Sequence, residues 1–181
     1  MGTDDKVANN NTLTISEHLQ KNYKIMHFIG LLWGWQKDMS TDFIDALMDF
    51  PKEVLNTYTL NTTMFRGMTV DLNEVRNRTI CSWSKNYEVA KLIAETYIHP
   101  NTVIGSPTPV YNVIFLKQGT GIDVDKIALE MKNWLLNNTR YIEAMGFNVA
   151  KLIALFNEEE YEILSDFKLN EISVVYKELV S

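Results

Sequence analysis

The chain has 181 residues, of which 46% are hydrophobic and 22% are charged, values that fit a soluble globular protein of one domain. Its formal net charge of −6 disfavours free nucleic acid and anionic membranes as partners. With one cysteine, no export signal and no apolar run long enough to cross a bilayer, the chain is predicted to be a cytoplasmic protein without disulfides.

In chain order, residues 1–11 are predicted to be flexible and residues 13–58 to form a helical N-terminal part. Apolar residues at helical spacing run from Ser16 to about Trp35. Ser40 or Thr41 can then cap a second helix, whose end Pro51 disturbs. From Thr59 the pattern becomes mainly β, so residues 59–181 are predicted to form the β core of the same single domain, 1–181.

Short strands are predicted at 64–68, 79–84, 110–116, 161–164 and 172–176, with Gly119-Thr120-Gly121 ending the third. Helices are predicted at 87–97 and 125–136, and a proline-containing loop at 100–109. The stretch 144–156 is ambiguous between helix and strand. Helices followed by strands, without regular alternation, predict an α+β fold.

Two motifs in the β part present polar side chains beside apolar ones. Arg66, within Met64-Phe65-Arg66-Gly67, is either a guanidinium aimed at a phosphate or carboxylate, or a strand-end arginine directed into solvent. Ser82 and Ser84 share one face of a predicted strand, with Trp83 on the other face. The two hydroxyls can orient a carboxylate or cap the helix that follows.

A third motif lies in the acidic run from Glu158 to Glu162. On a strand, Glu160 and Glu162 share one face, and two adjacent carboxylates that repel each other are unusual outside a functional site. Glu158 and Glu159 are interpreted as part of a solvated loop. In an alternative register Glu158 and Glu160 form the pair, and Tyr161-Glu162 then takes the place of the apolar pair expected next.

In their order, these motifs resemble the Arg–Ser–Glu class of mono-ADP-ribosyltransferases, most of all the small bacteriophage enzymes that modify protein arginine. The resemblance runs from Met64 to the C-terminal end. It implies the ADP-ribosyltransferase fold, in which two antiparallel β-sheets form an NAD cleft, here preceded by N-terminal helices. It implies no Rossmann motif, and Gly119-Thr120-Gly121 indeed lacks the third glycine of that fingerprint.

The resemblance also implies a role for each motif. Arg66 would bind the pyrophosphate of NAD, the Gly67 backbone would approach the nicotinamide ring, and Ser82 would hold Glu162. Glu162 would bond the ribose 2′-hydroxyl and stabilise the positive charge that develops as nicotinamide leaves. Glu160 would deprotonate the acceptor, and a glutamate at that position implies arginine. The residues assigned to the cofactor are Arg66, Gly67, Ser82, Trp83 and Ser84.

The predicted activity is therefore NAD-dependent transfer of ADP-ribose to a protein side chain, arginine, with release of nicotinamide and without a metal. By analogy with phage enzymes, the acceptor is expected in bacterial transcription or translation, in the host cytoplasm. An NAD glycohydrolase using the same site and a catalytically silent binding module are the alternatives; a nucleic-acid acceptor is disfavoured by charge. The segment from Gly121 to Asn157 is a candidate target-recognition element, with Phe156 as a contact.

Overall fold

The structure, a computed structural model, describes residues 13–97, 107–156 and 161–180. The chain divides into two compact units, residues 1–57 and 58–181. The boundary falls next to Thr59, where the sequence pattern changes from helical to mainly β. The predicted flexible start, 1–11, and most of the predicted loop at 100–109 lie outside the described residues.

The first unit is helical, with α1 at Ile15–Leu19, α2 at Asn22–Asp38, α3 at Asp42–Met48 and α4 at Lys52–Leu55. The helix predicted from Ser16 to Trp35 is two helices, because Gln20 adopts a left-handed conformation, with φ 56°, that ends α1. Contacts among buried aromatic rings contribute to this unit's core, and the rings involved are Phe28, Trp35, Phe43 and Phe50.

The described residues of the second unit form five strands, which are β1 (Thr59–Val70), β2 (Arg78–Ser84), β3 (Tyr111–Asp123), β4 (Glu162–Phe167) and β5 (Ser173–Leu179). Helix α5 (Tyr87–Thr96) follows β2. Between β3 and β4, residues 124–156 form the helices α6 (Val124–Asn137), α7 (Thr139–Ala144) and α8 (Val149–Ile153). The ambiguous stretch 144–156 is therefore helical where it is regular.

All strand pairs are antiparallel and join in one five-stranded sheet of order β1-β2-β4-β3-β5. Pairing of β1 with β3, from Thr59↔Ile122 to Val70↔Tyr111, closes a circuit through β1, β2, β4 and β3. The prediction of helices combined with an antiparallel sheet is confirmed. The predicted separation into two sheets is not seen, since the β1/β3/β5 ladder and the β2/β4 ladder are hydrogen-bonded together at both junctions.

Strand β3 continues through Gly119-Thr120-Gly121, where the sequence predicts its end. The prediction is wrong because β1 pairs with each of these residues and carries the strand onward. Glycine is required at Gly121 for packing: a Cβ there would lie 2.3 Å from Ile163 Cγ2 and 2.8 Å from the Leu164 carbonyl oxygen. Gly121 therefore marks a close approach of β3 to β4, which glycine permits, and not a turn.

An apolar cluster fills one face of the circuit and comprises Met64, Met68, Val70, Val75, Cys81, Trp83, Val113, Phe115, Ile163 and Phe167. On the opposite face, α5 lies against β1 at Gly67. A Cβ on Gly67 would come within 1.8 Å of the Ala90 carbonyl oxygen and 2.8 Å of the Ala94 nitrogen. The absence of a side chain at Gly67 thus sets how closely α5 approaches the sheet.

Among the described residues, none of the helices has both the length and the apolar character that a membrane crossing would need.

Candidate active site

The structure brings the three sequence motifs onto neighbouring strands. Arg66 lies on β1, Ser82 and Ser84 on β2, and Glu162 begins β4. Strand β2 lies between β1 and β4, and Ser84 is in register with Phe65 on one side and with Glu162 on the other. Residues distant in the sequence therefore meet at one junction of the sheet. Glu160 lies outside the described residues.

A direct hydrogen bond joins the serine and glutamate motifs. The Ser82 hydroxyl donates to Glu162 Oε2 at 2.5 Å. Glu162 is only 5% exposed, and a buried carboxylate is costly unless hydrogen bonds compensate for the lost water. A hydroxyl bonded to a carboxylate makes a short, charge-assisted bond, so Ser82 restrains the Glu162 carboxylate in one position.

Arg66 reaches the same strand from the other side. Its Nη1 donates to the Ser82 carbonyl oxygen. Within the described part of the chain, the buried Nε of Arg66 has no hydrogen-bond partner. Burial lowers the pKa of the guanidinium, whereas nearby Cys81 and Glu162 act in the opposite direction. Arginine titrates so far above neutrality that the group stays charged.

A cleft of about 160 Å³ opens beside Arg66, and it is lined by Arg66, Met68, Val70, Glu74, Val75, Arg76, Arg78 and Phe167. The lining contains three arginines and one glutamate, so the cleft carries a net positive charge although the protein as a whole is acidic. Arg76 and Arg78 are exposed. Ser82 and Glu162 do not line this cleft, and the Arg66 side chain connects it with them through the Ser82 carbonyl.

The other residues assigned to the cofactor have structural partners. Ser84 is buried, and its Oγ accepts a hydrogen bond from the Asn86 N–H at 3.0 Å, just before α5. Trp83 is 2% exposed and stacks on Phe167 in the core, so its placement gives no support to a cofactor contact. Gly67 faces α5. Of the predicted cofactor residues, Ser82 bonds the Glu162 carboxylate, Ser84 is the register partner of Glu162, and Arg66 bonds the Ser82 carbonyl.

Cys81 is buried next to this site. Burial raises the pKa of its thiol, although Arg66 acts in the opposite direction. A thiol with a raised pKa is a weak nucleophile at neutral pH. Its packing in the apolar cluster agrees with the interpretation of Cys81 as a small strand residue.

Charged residues that the motifs do not include surround the backbone of Glu162. Asp125 Oδ1 accepts a hydrogen bond from the Glu162 N–H at 3.3 Å. Lys85 Nζ lies 3.2 Å from Asp123 Oδ2 and 3.6 Å from Asp125 Oδ2. In the sequence, Asp123 and Asp125 indicate only the N-terminus of a helix. Their proximity to Glu162 could not be predicted, because it depends on the pairing of β3 with β4.

The candidate target-recognition segment is composed of the end of β3 and helices α6 to α8. Phe156 is 6% exposed, and the Lys132 ammonium lies 5.8 Å from its ring centroid. The prediction that Phe156 contacts an acceptor is therefore wrong for this structure, because the ring is buried. Across the described ranges, no group of three or more potential ligand side chains is arranged to hold a metal ion.

No protein-family model matches the sequence. A search of curated proteins also finds no match. A solved structure that matches is the crystal structure of the ADP-ribosyltransferase Vis in complex with an inhibitor named M6. The two chains are 17% identical, the match covers 91% of this chain and 72% of that chain, and the TM-score is 0.35. A likeness at this level is too low to establish a shared fold.

Proposed function

We propose that this chain is an NAD-dependent mono-ADP-ribosyltransferase that transfers ADP-ribose to protein arginine and releases nicotinamide. The observation that carries the proposal is the contact between Ser82 and the buried Glu162 carboxylate, together with the hydrogen bond from the Arg66 guanidinium to the Ser82 carbonyl. Each of the three residues comes from a different strand. Their convergence supports a common site more strongly than the short motifs do alone.

The side chains beside Arg66 suit the phosphates of NAD. The Arg66 Nε is a buried donor without a partner among the described residues, and Arg76 and Arg78 line the same cleft. A guanidinium presents a planar set of donors that matches phosphate oxygens. We assign Arg66, with help from Arg76 and Arg78, to the pyrophosphate, and Glu162 to the ribose next to the nicotinamide.

NAD supplies the ADP-ribosyl group, and the residues of this chain would stabilise its transfer. As the glycosidic bond to nicotinamide breaks, positive charge develops on the ribose carbon. A carboxylate held in place by Ser82 stabilises that charge without having to reorganise. Glu160 would accept the proton of the incoming arginine, because arginine is otherwise protonated and a poor nucleophile.

The first experiment measures both nicotinamide release and transfer of label from NAD to proteins of a bacterial lysate. Glu162→Gln keeps the size of the side chain and removes its charge, so both signals should fall by about 10²-fold or more. Glu130→Gln, a carboxylate elsewhere in the same unit, is the control and should leave both signals unchanged. No nicotinamide release by the unaltered chain would refute an enzymatic role and favour a binding module.

The second candidate is an NAD glycohydrolase. In this proposal Arg66, Ser82 and Glu162 would suffice for cleavage of the nicotinamide bond, whereas use of a protein acceptor would depend on Glu160. Release of nicotinamide that depends on Glu162, without labelled protein in any lysate, would favour hydrolysis by water. If Glu160→Gln abolishes labelling and retains nicotinamide release, the transferase is supported, and mass spectrometry of the labelled protein then tests arginine as the acceptor.

A further inference from the structure

The ladder between β3 and β4 stops one residue short of Glu162. Its last pairs are Ile122↔Leu164 and Asp123↔Ile163, after which the chain turns into α6 at Val124. The Glu162 N–H donates to Asp125 Oδ1, in the first turn of α6, at 3.3 Å. A side-chain oxygen of α6 thus accepts a hydrogen bond from β4 just beyond the last β3–β4 pair.

The other polar atom of the same peptide group is also held. The Lys85 N–H, immediately after β2, donates to the Tyr161 carbonyl oxygen at 2.9 Å. The peptide group between Tyr161 and Glu162 is thus bonded at its oxygen by one segment and at its nitrogen by another. Tyr161 has φ 50°, a left-handed conformation that is unfavourable for a non-glycine residue. Contacts that compensate for this cost are therefore needed next to Glu162.

The Lys85 side chain links these contacts to α6. Its ammonium bridges Asp123 Oδ2 at 3.2 Å and Asp125 Oδ2 at 3.6 Å. Asp123 is itself fixed, because its Oδ1 accepts the Lys126 N–H at 3.2 Å as the N-cap of α6. Burial raises the pKa of Asp125, Asp123 adds to the rise, and Lys85 opposes it. Lys85 thus helps to keep the acceptor of the Glu162 N–H ionised and aligned.

We propose that Lys85, Asp123 and Asp125 are positioning residues that lock the peptide group between Tyr161 and Glu162 and so orient the Glu162 carboxylate. The relevance to catalysis rests on the function proposed above. In this arrangement the N-terminal turn of α6 serves the active site directly. It fixes the Glu162 backbone while Ser82 fixes the carboxylate, so the side chain is held at both ends.

The test compares Asp125→Leu, which removes the acceptor with little change in size, with Asp125→Asn, which keeps an acceptor oxygen at the same place. We expect Asp125→Leu to lower kcat for nicotinamide release about 10-fold, the loss typical of a hydrogen bond to a charged group, with KM for NAD changed less than about twofold. Asp125→Asn should recover most of that loss. An equal rate loss in both variants, or a loss confined to KM, would overturn the proposal.

Hydrogen exchange of the Glu162 amide in the NAD-free protein tests the geometry without any activity. The amide should be protected in the unaltered chain and in Asp125→Asn, and should exchange at least about 10-fold faster in Asp125→Leu. Such a result supports the lock even if the chain releases no nicotinamide, in which case only the proposed function fails. Rapid exchange of this amide in the unaltered chain would refute the lock.

Lys85→Met provides a second variant if Asp125→Leu does not fold. It retains the backbone N–H that bonds Tyr161 and removes only the ammonium, so it should lower kcat and speed Glu162 exchange in the same direction. Lys91→Met is the matched control, because Lys91 pairs with Glu95 on the surface of α5 at 4.0 Å. Identical behaviour of the Lys85→Met and Lys91→Met variants would contradict the proposal.

Discussion

At the scale of single residues, the Ser82 hydroxyl makes the contact whose removal is easiest to interpret. Ser82→Ala deletes the donor to Glu162 Oε2 and leaves the strand backbone, including the carbonyl that Arg66 bonds. A hydrogen bond to a charged group contributes about 1.5–3 kcal/mol, so the rate of nicotinamide release should fall about 10- to 100-fold. Steady-state kinetics with NAD measures the effect.

Ser84→Ala provides the comparison for that prediction. Its Oγ accepts the Asn86 N–H ahead of α5, so the change should lower the free energy of unfolding more than the catalytic rate. If both serine variants lose stability and activity in equal proportion, Ser82 has a structural role only, and its assignment to Glu162 fails.

Gly67 presents a packing constraint that can be tested independently of function. In Gly67→Ala the new methyl group would overlap the Ala90 carbonyl oxygen, and backbone atoms cannot move aside cheaply. We expect a loss of about 3 kcal/mol in the free energy of unfolding, at the upper end for overpacking. Urea denaturation measures it.

Gly30→Ala is the matched control, since Gly30 lies within α2 and a Cβ there meets nothing within 4 Å. Replacing glycine by alanine in a helix should stabilise the protein by about 0.5–1 kcal/mol. A neutral Gly67→Ala variant would show that α5 can shift away from β1.

The sequence identifies some of the candidate site because order along the chain is informative there. Arg66, Ser82 and Glu162 come from three motifs whose order carries the family resemblance, and that resemblance predicts a common site. In the structure, hydrogen bonds link Arg66 to Ser82 and Ser82 to Glu162. Lys85 and Asp125 could not be found in the same way. Their relation to Glu162 depends on where the β3–β4 ladder stops, which is a property of strand register and leaves no local sequence pattern.

At the scale of elements, Lys117 on β3 ties that strand to the end of β4. Its side chain is 5% exposed, and its Nζ donates to Ser165 Oγ and to the Asp166 carbonyl oxygen, each at 3.0 Å, and to the Asp166 carboxylate. The hydrogen bond from Lys117 holds the pKa of Asp166 below its usual range, with Lys168 acting in the same direction. The pair therefore makes stability depend on pH.

The sign follows from the depressed pKa of Asp166. The contribution is fully present above the unfolded pKa of about 3.9 and is lost as pH falls through the lower folded value. Lys117→Met should cost about 2 kcal/mol at neutral pH, and the difference from the unaltered chain should shrink as pH falls below about 4. Urea unfolding between pH 3 and pH 7 measures both quantities.

Lys168→Met controls for a change in charge alone. Lys168 bonds the same carboxylate, but its side chain is 50% exposed, so the effect should be small. A difference between the Lys117→Met variant and the unaltered chain that stays constant with pH would show that Lys117 stabilises the sheet by packing and not through Asp166.

Element boundaries differ in how well the sequence predicts them, for physical reasons. Helix α5 and strand β2 match their predictions closely, because capping residues and a switch in periodicity mark their ends. Strands β1 and β3 extend well past the predicted limits. Their polar halves, such as Thr59 to Thr63, form a ladder because each strand supplies the other's partners. Composition alone carries no such information.

At the scale of the whole molecule, sequence patterns predict the fold class, but they do not predict which strands pair with one another. The progression from helices to strands predicts an α+β fold, and the antiparallel pairing of the strands is an expectation that comes from the family resemblance. The circuit of β1, β2, β4 and β3 requires knowledge of which strands pair, and the alternation of residues within each strand does not encode it. Strand patterns alone therefore do not show that β2 pairs with both β1 and β4, with Ser84 in register with Phe65 and with Glu162.

The position of β3 has a consequence for the speed of folding. This strand pairs with β1, β4 and β5, and its partners lie far away along the chain, as Tyr111 with Leu179 and Thr59 with Ile122. Each pairing requires a long loop to close, and the entropy cost of closure comes before the stabilising contacts form. The second unit should therefore fold slowly. We expect refolding from urea in milliseconds to seconds, measurable by stopped-flow tryptophan fluorescence. Microsecond refolding of the sheet would mean that local contacts, and not β3, organise the transition state.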